Sequence, residues 1–231
     1  MKKKFVVNAL CVPYFVLVVF LGCSQSNDSY YPLKEGMIWE YQMTSGSMMG
    51  GSGGSKIVVT NFTSRELNGK KVTPQKYDVQ GQTVFVFMVD DSSGVSIFAK
   101  QNPGAIDPEI EKNQNYAIKY PIKVGTAWED RTETSLLNEK VSITLTSTIE
   151  RIDEVVTVPA GTFEKCLRVK SIGNTSKNMG IFGVASISVE QYAWYAPGVG
   201  TVKSISKEKS NNLMLGGGEL TLQLESFKKG K

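Results

Sequence analysis

In VSITLT, residues 141 to 146, Val141, Ile143 and Leu145 alternate with Ser142, Thr144 and Thr146; near the C-terminus Leu220, Leu222 and Leu224 alternate with Thr221, Gln223 and Glu225. A period of two puts successive side chains on opposite sides of an extended backbone, so each run reads as a strand with one apolar and one wet face. Helical spacing at i, i+3 and i+4 is not sustained anywhere beyond the N-terminal segment. The least strand-like stretch is 102 to 115, where a short helix would fit. The expected class is therefore all-β: an antiparallel, strongly curved sheet, a half-barrel or a sandwich.

Turn chemistry divides the runs at Leu67-Asn68-Gly69, Asp90 to Gly94, Pro159-Ala160-Gly161 and Pro197 to Gly200. Gly and Asn supply positive φ there, and Pro presets a turn and stops ladder pairing. VFVFMV at 84 to 89 is apolar on both faces, which predicts a strand covered on both sides or lining an enclosed space.

Residues 31 to 40 read YPLKEGMIWE and residues 120 to 129 read YPIKVGTAWE. After each Trp the same succession of strands and turns follows, to KYDV at 76 to 79 and to CLRV at 166 to 169. Two related β-units are expected, 31–119 and 120–231, joined in one continuous domain because no long linker separates them. Each copy opens a unit: Pro ends an incoming edge, Gly permits a tight bend, and Trp39 or Trp128 plugs the core.

YPLKEGMIWEY, VTVPAGTFEKCLRV and AWYAPGVGTVK together resemble bacterial exported and lipoprotein families of uncharacterised function. The resemblance covers most of the chain and is looser across 44 to 115. It implies a curved antiparallel sheet similar to the half-barrel of lipoprotein carriers, and it implies no catalytic residues.

The N-terminus supplies an address. Lys2, Lys3 and Lys4 precede an apolar run from Phe5 to Leu21 that ends at Gly22-Cys23. This is a signal peptide (1–22) rather than a membrane span, which needs about 20 strongly apolar residues. Phe20-Leu21-Gly22-Cys23 resembles a lipobox, with Phe20 where Leu is usual, so Cys23 is the expected site of acylation and 23–30 a lipidated tether. Ser24 after the Cys points to outer-membrane sorting. The expected location is the bacterial cell envelope, and the expected partner is the membrane, through the lipid.

Removing residues 1–22 takes away three Lys and no acids. The 26 basic and 22 acidic residues become 23 and 22, which leaves no electrostatic footprint for nucleic acid. The chain contains no His, which excludes Ser-His-Asp and Cys-His chemistry and His-based metal sites. With Cys11 removed and Cys23 acylated, Cys166 is the remaining thiol, too few for a zinc site, and a small buried hydrophobe. No cofactor or metal is expected. Ser204-x-x-Lys207 matches a hydrolase motif, but an offset of three on a strand puts the two on opposite faces.

One pattern invites a ligand. With strands running up and down in order, the loops at 45–55, 135–140, 174–184 and 210–219 fall at one end, and NGKK, DDSSG, IDE and APGVG at the other. The first set carries Met48, Met49, Leu136, Leu137, Met179, Ile181, Phe182, Leu213, Met214 and Leu215. Such a rim would admit an acyl chain, touch a bilayer or dock a partner, unless its tips fold back as a lid. Three readings stay open: a noncatalytic lipoprotein holding a lipid or other apolar ligand in a dry cavity that opens at this rim, a structural or interaction module of the envelope, and a carboxylate-based enzyme acting on glycans.

Overall fold

The computed structural model describes residues 29–47 and 52–230. Its strands are β1 (Ile38–Ser47), β2 (Ser52–Asn61), β3 (Arg65–Leu67), β4 (Lys70–Val79), β5 (Gln82–Asp91), β6 (Gly94–Gln101), β7 (Glu109–Lys119), β8 (Ala127–Glu133), β9 (Ser142–Val158), β10 (Gly161–Asn178), β11 (Val184–Ala196), β12 (Gly200–Ser210) and β13 (Gly217–Lys228). Twelve of them form one sheet in the order β7-β6-β5-β4-β2-β1-β13-β12-β11-β10-β9-β8, and β3 pairs with β4 beside it. Every pairing is antiparallel, including that of the first strand with the last.

The order is an up-and-down meander whose free edges, β7 and β8, come together, so the sheet nearly closes into a barrel. No backbone ladder joins those two edges. The seam is instead bridged by a side chain: Asp130 Oδ1 on β8 accepts the Tyr116 N–H of β7 at 2.8 Å. From β11, the Tyr195 hydroxyl also reaches β7, donating to the Ala117 carbonyl at 3.3 Å.

Period-two patterning sets which face is inside. Ile143, Leu145 and Ile149 of β9 are buried while Ser142, Thr144 and Thr146 between them are exposed. On β5, Val86 and Met88 face the interior, whereas Phe87 and Val89 pack outside against Val72, Ala99 and Leu67, which β3 brings alongside. This strand is covered on both sides because a three-residue strand supplies the second cover.

Residue 29 enters at one end of the barrel, the floor. Here the three sequence motifs meet in one cluster. Met37, Trp39 and Tyr41 of the first pack with Val156, Val158 and Cys166 of the second and Ala196, Val199 and Val202 of the third. Trp39 Nε1–H donates to the Val199 carbonyl at 2.6 Å, and the tip of the long β9–β10 hairpin returns to β13, where the Ala160 N–H meets the Leu224 carbonyl. The N-terminal stretch spans the floor: the Tyr30 hydroxyl donates to the Lys165 carbonyl and the Tyr31 hydroxyl to Gln75 Oε1.

The two Tyr-Pro copies make matching backbone bonds. Gly36 and Asn61 exchange bonds through Asn61 O and Met37 O; Gly125 and Ile149 do so through Ile149 O and Thr126 O. Gly36 and Gly125 both hold positive φ, +76° and +89°, the bend that leads each copy into its strand.

Two expectations are corrected. Residues 102–108 form turns and β7 starts at Glu109, so no helix fills 102–115; the polar stretch is a strand whose outer face is wet. IDE at 152–154 is not a turn but part of β9, which runs on to Val158.

Candidate functional site

The strand order brings the connections 133–142, 178–184 and 210–217 to the end opposite the floor. Met48 and Met49 lie outside the described residues, as does Cys23. The rest of the apolar set divides. Leu137 and Leu215 turn inward and pack with Ala185, Ile187 and half-buried Met179, while Leu136 is half-buried. Ile181, Phe182, Leu213 and Met214 stay out, Ile181 at 96% exposure and Leu213 at 84%.

The inward part is a sewn lid over the β8–β13 half of the barrel. The Asn138 N–H donates to Leu215 O and its Nδ2 to Met214 O. Beneath it the buried Glu208 carboxylate accepts the N–H groups of Ser135 and Leu136 at 2.8 to 3.0 Å. A carboxylate removed from water persists only with such donors, and here it fixes the loop.

Inside the barrel lies a chamber of about 480 Å³. Its two sides differ in chemistry. Val86, Met88 and Ile97 of β5 and β6 give one apolar wall. On the β8–β12 side, Ser147, Ser171, Gln191 and Ser206 sit at directly paired positions on successive strands, β9 to β12. They form a polar belt: Ser147 and Ser171 hydroxyls are 2.7 Å apart, and Gln191 Nε2 donates to Ser206 Oγ at 3.2 Å.

Asp130 closes the belt at the seam. Its Oδ2 accepts the Trp128 indole N–H at 2.6 Å and the Ser147 hydroxyl at 3.4 Å, while Oδ1 takes Tyr116. Burial raises its pKa above the ordinary carboxylate value, and these three hydrogen bonds oppose that rise.

Toward the floor the chamber borders an apolar nook of about 110 Å³ lined by Trp39, Tyr41, Ile57 and Leu222. Tyr31 and Tyr77 line both spaces. Burial pushes the Tyr41 and Tyr195 hydroxyls up, so both are neutral donors at any physiological pH. In the other direction Lys100, Asn115, Thr132 and Ser135 line both the chamber and a vestibule of about 730 Å³ between β7 and β8. Of the nominated rim residues Leu137 alone lines that vestibule, whose walls are otherwise polar, with Lys100 paired to Glu111 at 2.7 Å. The interior is thus amphipathic rather than dry, and it communicates with solvent through a polar seam.

Neither a carboxylate pair nor a Ser204–Lys207 pair is assembled in this chamber. Asp130 is the one carboxylate in its lining, and Ser204 faces inward while Lys207 pairs with Glu219. Among the described residues no three metal-ligating side chains cluster. Tyr195 is buried, half-buried Trp194 packs at the floor cluster, and Tyr192 stacks on Trp194 with centroids 5.9 Å apart. Sequence reasoning missed the belt. Its signal was present: Ser147, Ser171 and Gln191 occupy the inward phase, between Leu145 and Ile149, Val169 and Gly173, Val189 and Ala193.

A family model described as DUF3108-like matches residues 34–217. No curated protein matches the chain. Among solved structures it is similar to a candidate lipoprotein from Parabacteroides distasonis, at 18% identity and a TM-score of 0.47, covering 88% of this chain and 100% of that one. It is also similar to a candidate exported protein with a YmcC-like fold from Bacteroides fragilis, at 16% identity and a TM-score of 0.42, covering 87% and 100%.

Proposed function

The chain belongs to the DUF3108-like family, and on that footing we propose that it is a noncatalytic binding protein of the bacterial cell envelope, tethered through Cys23, that holds an apolar or amphiphilic small molecule inside its barrel. The observation that carries this reading is the chamber of about 480 Å³ with an apolar wall facing a polar belt. Its size falls within the roughly 300–1,000 Å³ typical of small-molecule sites, which pair apolar lining with a few placed polar groups. Glycan hydrolysis needs two carboxylates about the scissile bond, and Asp130 faces no second one in the chamber.

The test is native mass spectrometry of the unlipidated domain beginning at Ser24, purified without detergent. An added mass of lipid size, lost on organic extraction and regained on adding a dodecyl amphiphile, is the expected result. A bare polypeptide mass that stays bare with added amphiphile refutes the reading.

A second reading has its own support. Ile181, Phe182, Leu213 and Met214 are exposed on two neighbouring hairpins, β10–β11 and β12–β13, at the end away from residue 29. Such a tip suits contact with another envelope protein. Replacing Phe182 and Met214 by Ser separates the two: it would abolish a partner contact and leave chamber binding intact.

A further inference from the structure

Resting on the reading that the chamber holds a ligand, we infer that this ligand is a single-chain amphiphile with an uncharged, hydrogen-bonding head group, recognised by Ser147, Ser171, Gln191 and Ser206.

The belt is built where packing alone would put apolar side chains. Each of its members stands in the inward phase of its strand, and strand pairing aligns them in one row. Lining a cavity with hydroxyls and an amide is unfavourable by about 1–3 kcal/mol for any such group that is buried and left without a partner. The internal bonds use only part of the capacity. Ser147 bonds Ser171, and Gln191 Nε2 bonds Ser206, while Gln191 Oε1 meets no described donor. Across the lining, Asn115 Oδ1 is buried with no hydrogen-bond partner among the described residues. An amide and a row of hydroxyls offer both donors and acceptors, which matches a head carrying hydroxyl, ester or amide groups.

Charge decides against the alternatives. Asp130 adjoins the belt, and its oxygens accept three bonds from Tyr116, Trp128 and Ser147. An anionic head would sit beside that carboxylate, which would repel it. The cation in the lining, Lys100, is already paired with Glu111 on the vestibule side. A cationic head would feel the Asp130 charge, which already accepts three hydrogen bonds, but a quaternary ammonium would leave the belt's acceptors and donors unmatched. The apolar portion has a place of its own: the wall of Val86, Met88 and Ile97, continuing past Tyr77 into the nook at Trp39 and Leu222.

The experiment measures binding of three probes with the same twelve-carbon chain to the purified, lipid-free protein: monolauroylglycerol, laurate and dodecyltrimethylammonium, each below its aggregation threshold. Monolauroylglycerol is expected to bind at least about tenfold more tightly than either ion, the equivalent of one well-placed hydrogen bond or more. In Ser171→Val/Gln191→Leu that preference is expected to collapse. Ser206→Ala, a milder change, should reduce it in part, which keeps the test intact if the double variant does not fold. Laurate or the ammonium binding as tightly as the neutral probe overturns the head-group assignment while leaving the chamber a binding site. An unchanged preference in folded variants also overturns it. Failure of all three probes to bind overturns both this inference and the binding function it rests on.

Discussion

Asp130 holds together things that backbone hydrogen bonding leaves apart. It accepts from the unpaired edge of β7, from the indole of Trp128 and from the belt through Ser147. Asp130→Leu removes a half-buried charge yet strands two N–H donors, so a loss of about 1–3 kcal/mol in urea unfolding is expected. The pH dependence follows from its raised pKa. A carboxyl whose folded value lies above its unfolded value of about 3.9 contributes stability that is complete below the unfolded value and is lost as pH rises through the folded one. The stability gap between wild type and Asp130→Leu should therefore widen as pH falls from 7 toward 4, and a gap that narrows would contradict the assignment. Cys166 gives a simpler expectation. It is fully buried, and burial pushes its thiol pKa to about 11, so it should resist alkylation at pH 8 until the protein unfolds. Its burial was readable from TFEKCLRV, whereas Asp130 was not. An acid after Trp-Glu looks like an ordinary wet strand residue until its inward phase and the free edge it faces are both known.

At the scale of elements, the three sequence motifs act as fold determinants. They converge on the floor cluster around Trp39, Cys166 and Val202, away from the vestibule. The two Tyr-Pro copies share a local backbone pattern, Gly36 bonding Asn61 and Gly125 bonding Ile149 at the approach to β1 and β8. Turns are equally tight determinants. Gly94 opens β6 at φ +140°, and a Cβ there would lie 2.3 Å from the Ile118 carbonyl oxygen of β7. Gly94→Ala combines a forbidden dihedral with a clash against backbone, and should destabilise the protein by about 3 kcal/mol or more and loosen amide protection in β7. Strands and turns were legible in the sequence because alternation and Gly/Pro chemistry are local. The boundary of β9 was not, since IDE has turn composition but continues a hairpin held by contacts with β13. The lid was half legible: apolar loops pointed to it, but only strand order shows that Leu137 and Leu215 meet while Ile181 and Leu213 do not.

The whole molecule has a direction. Residue 29 sits at the floor, where its carbonyl accepts the Gly198 N–H, and Cys23 precedes it by six residues, a reach of about 20 Å when extended. A lipid at Cys23 would set the floor toward the membrane and turn the lid and exposed tips away from it. Ligand would then be exchanged with the aqueous side or with a facing partner rather than with the anchoring bilayer. Cys23→Ser should move the protein from the membrane fraction and remove the acyl mass, and unchanged fractionation would contradict the tether. The central claim is that the chamber, rather than the exposed tips, takes the ligand. It is tested most directly by methyl NMR with labelled Met and Ile during titration with monolauroylglycerol. Met88 and Ile97 line the chamber, and Met214 and Ile181 mark the tips. The account predicts saturable shifts at Met88 and Ile97 with Met214 and Ile181 unmoved; shifts confined to Met214 and Ile181 would contradict it.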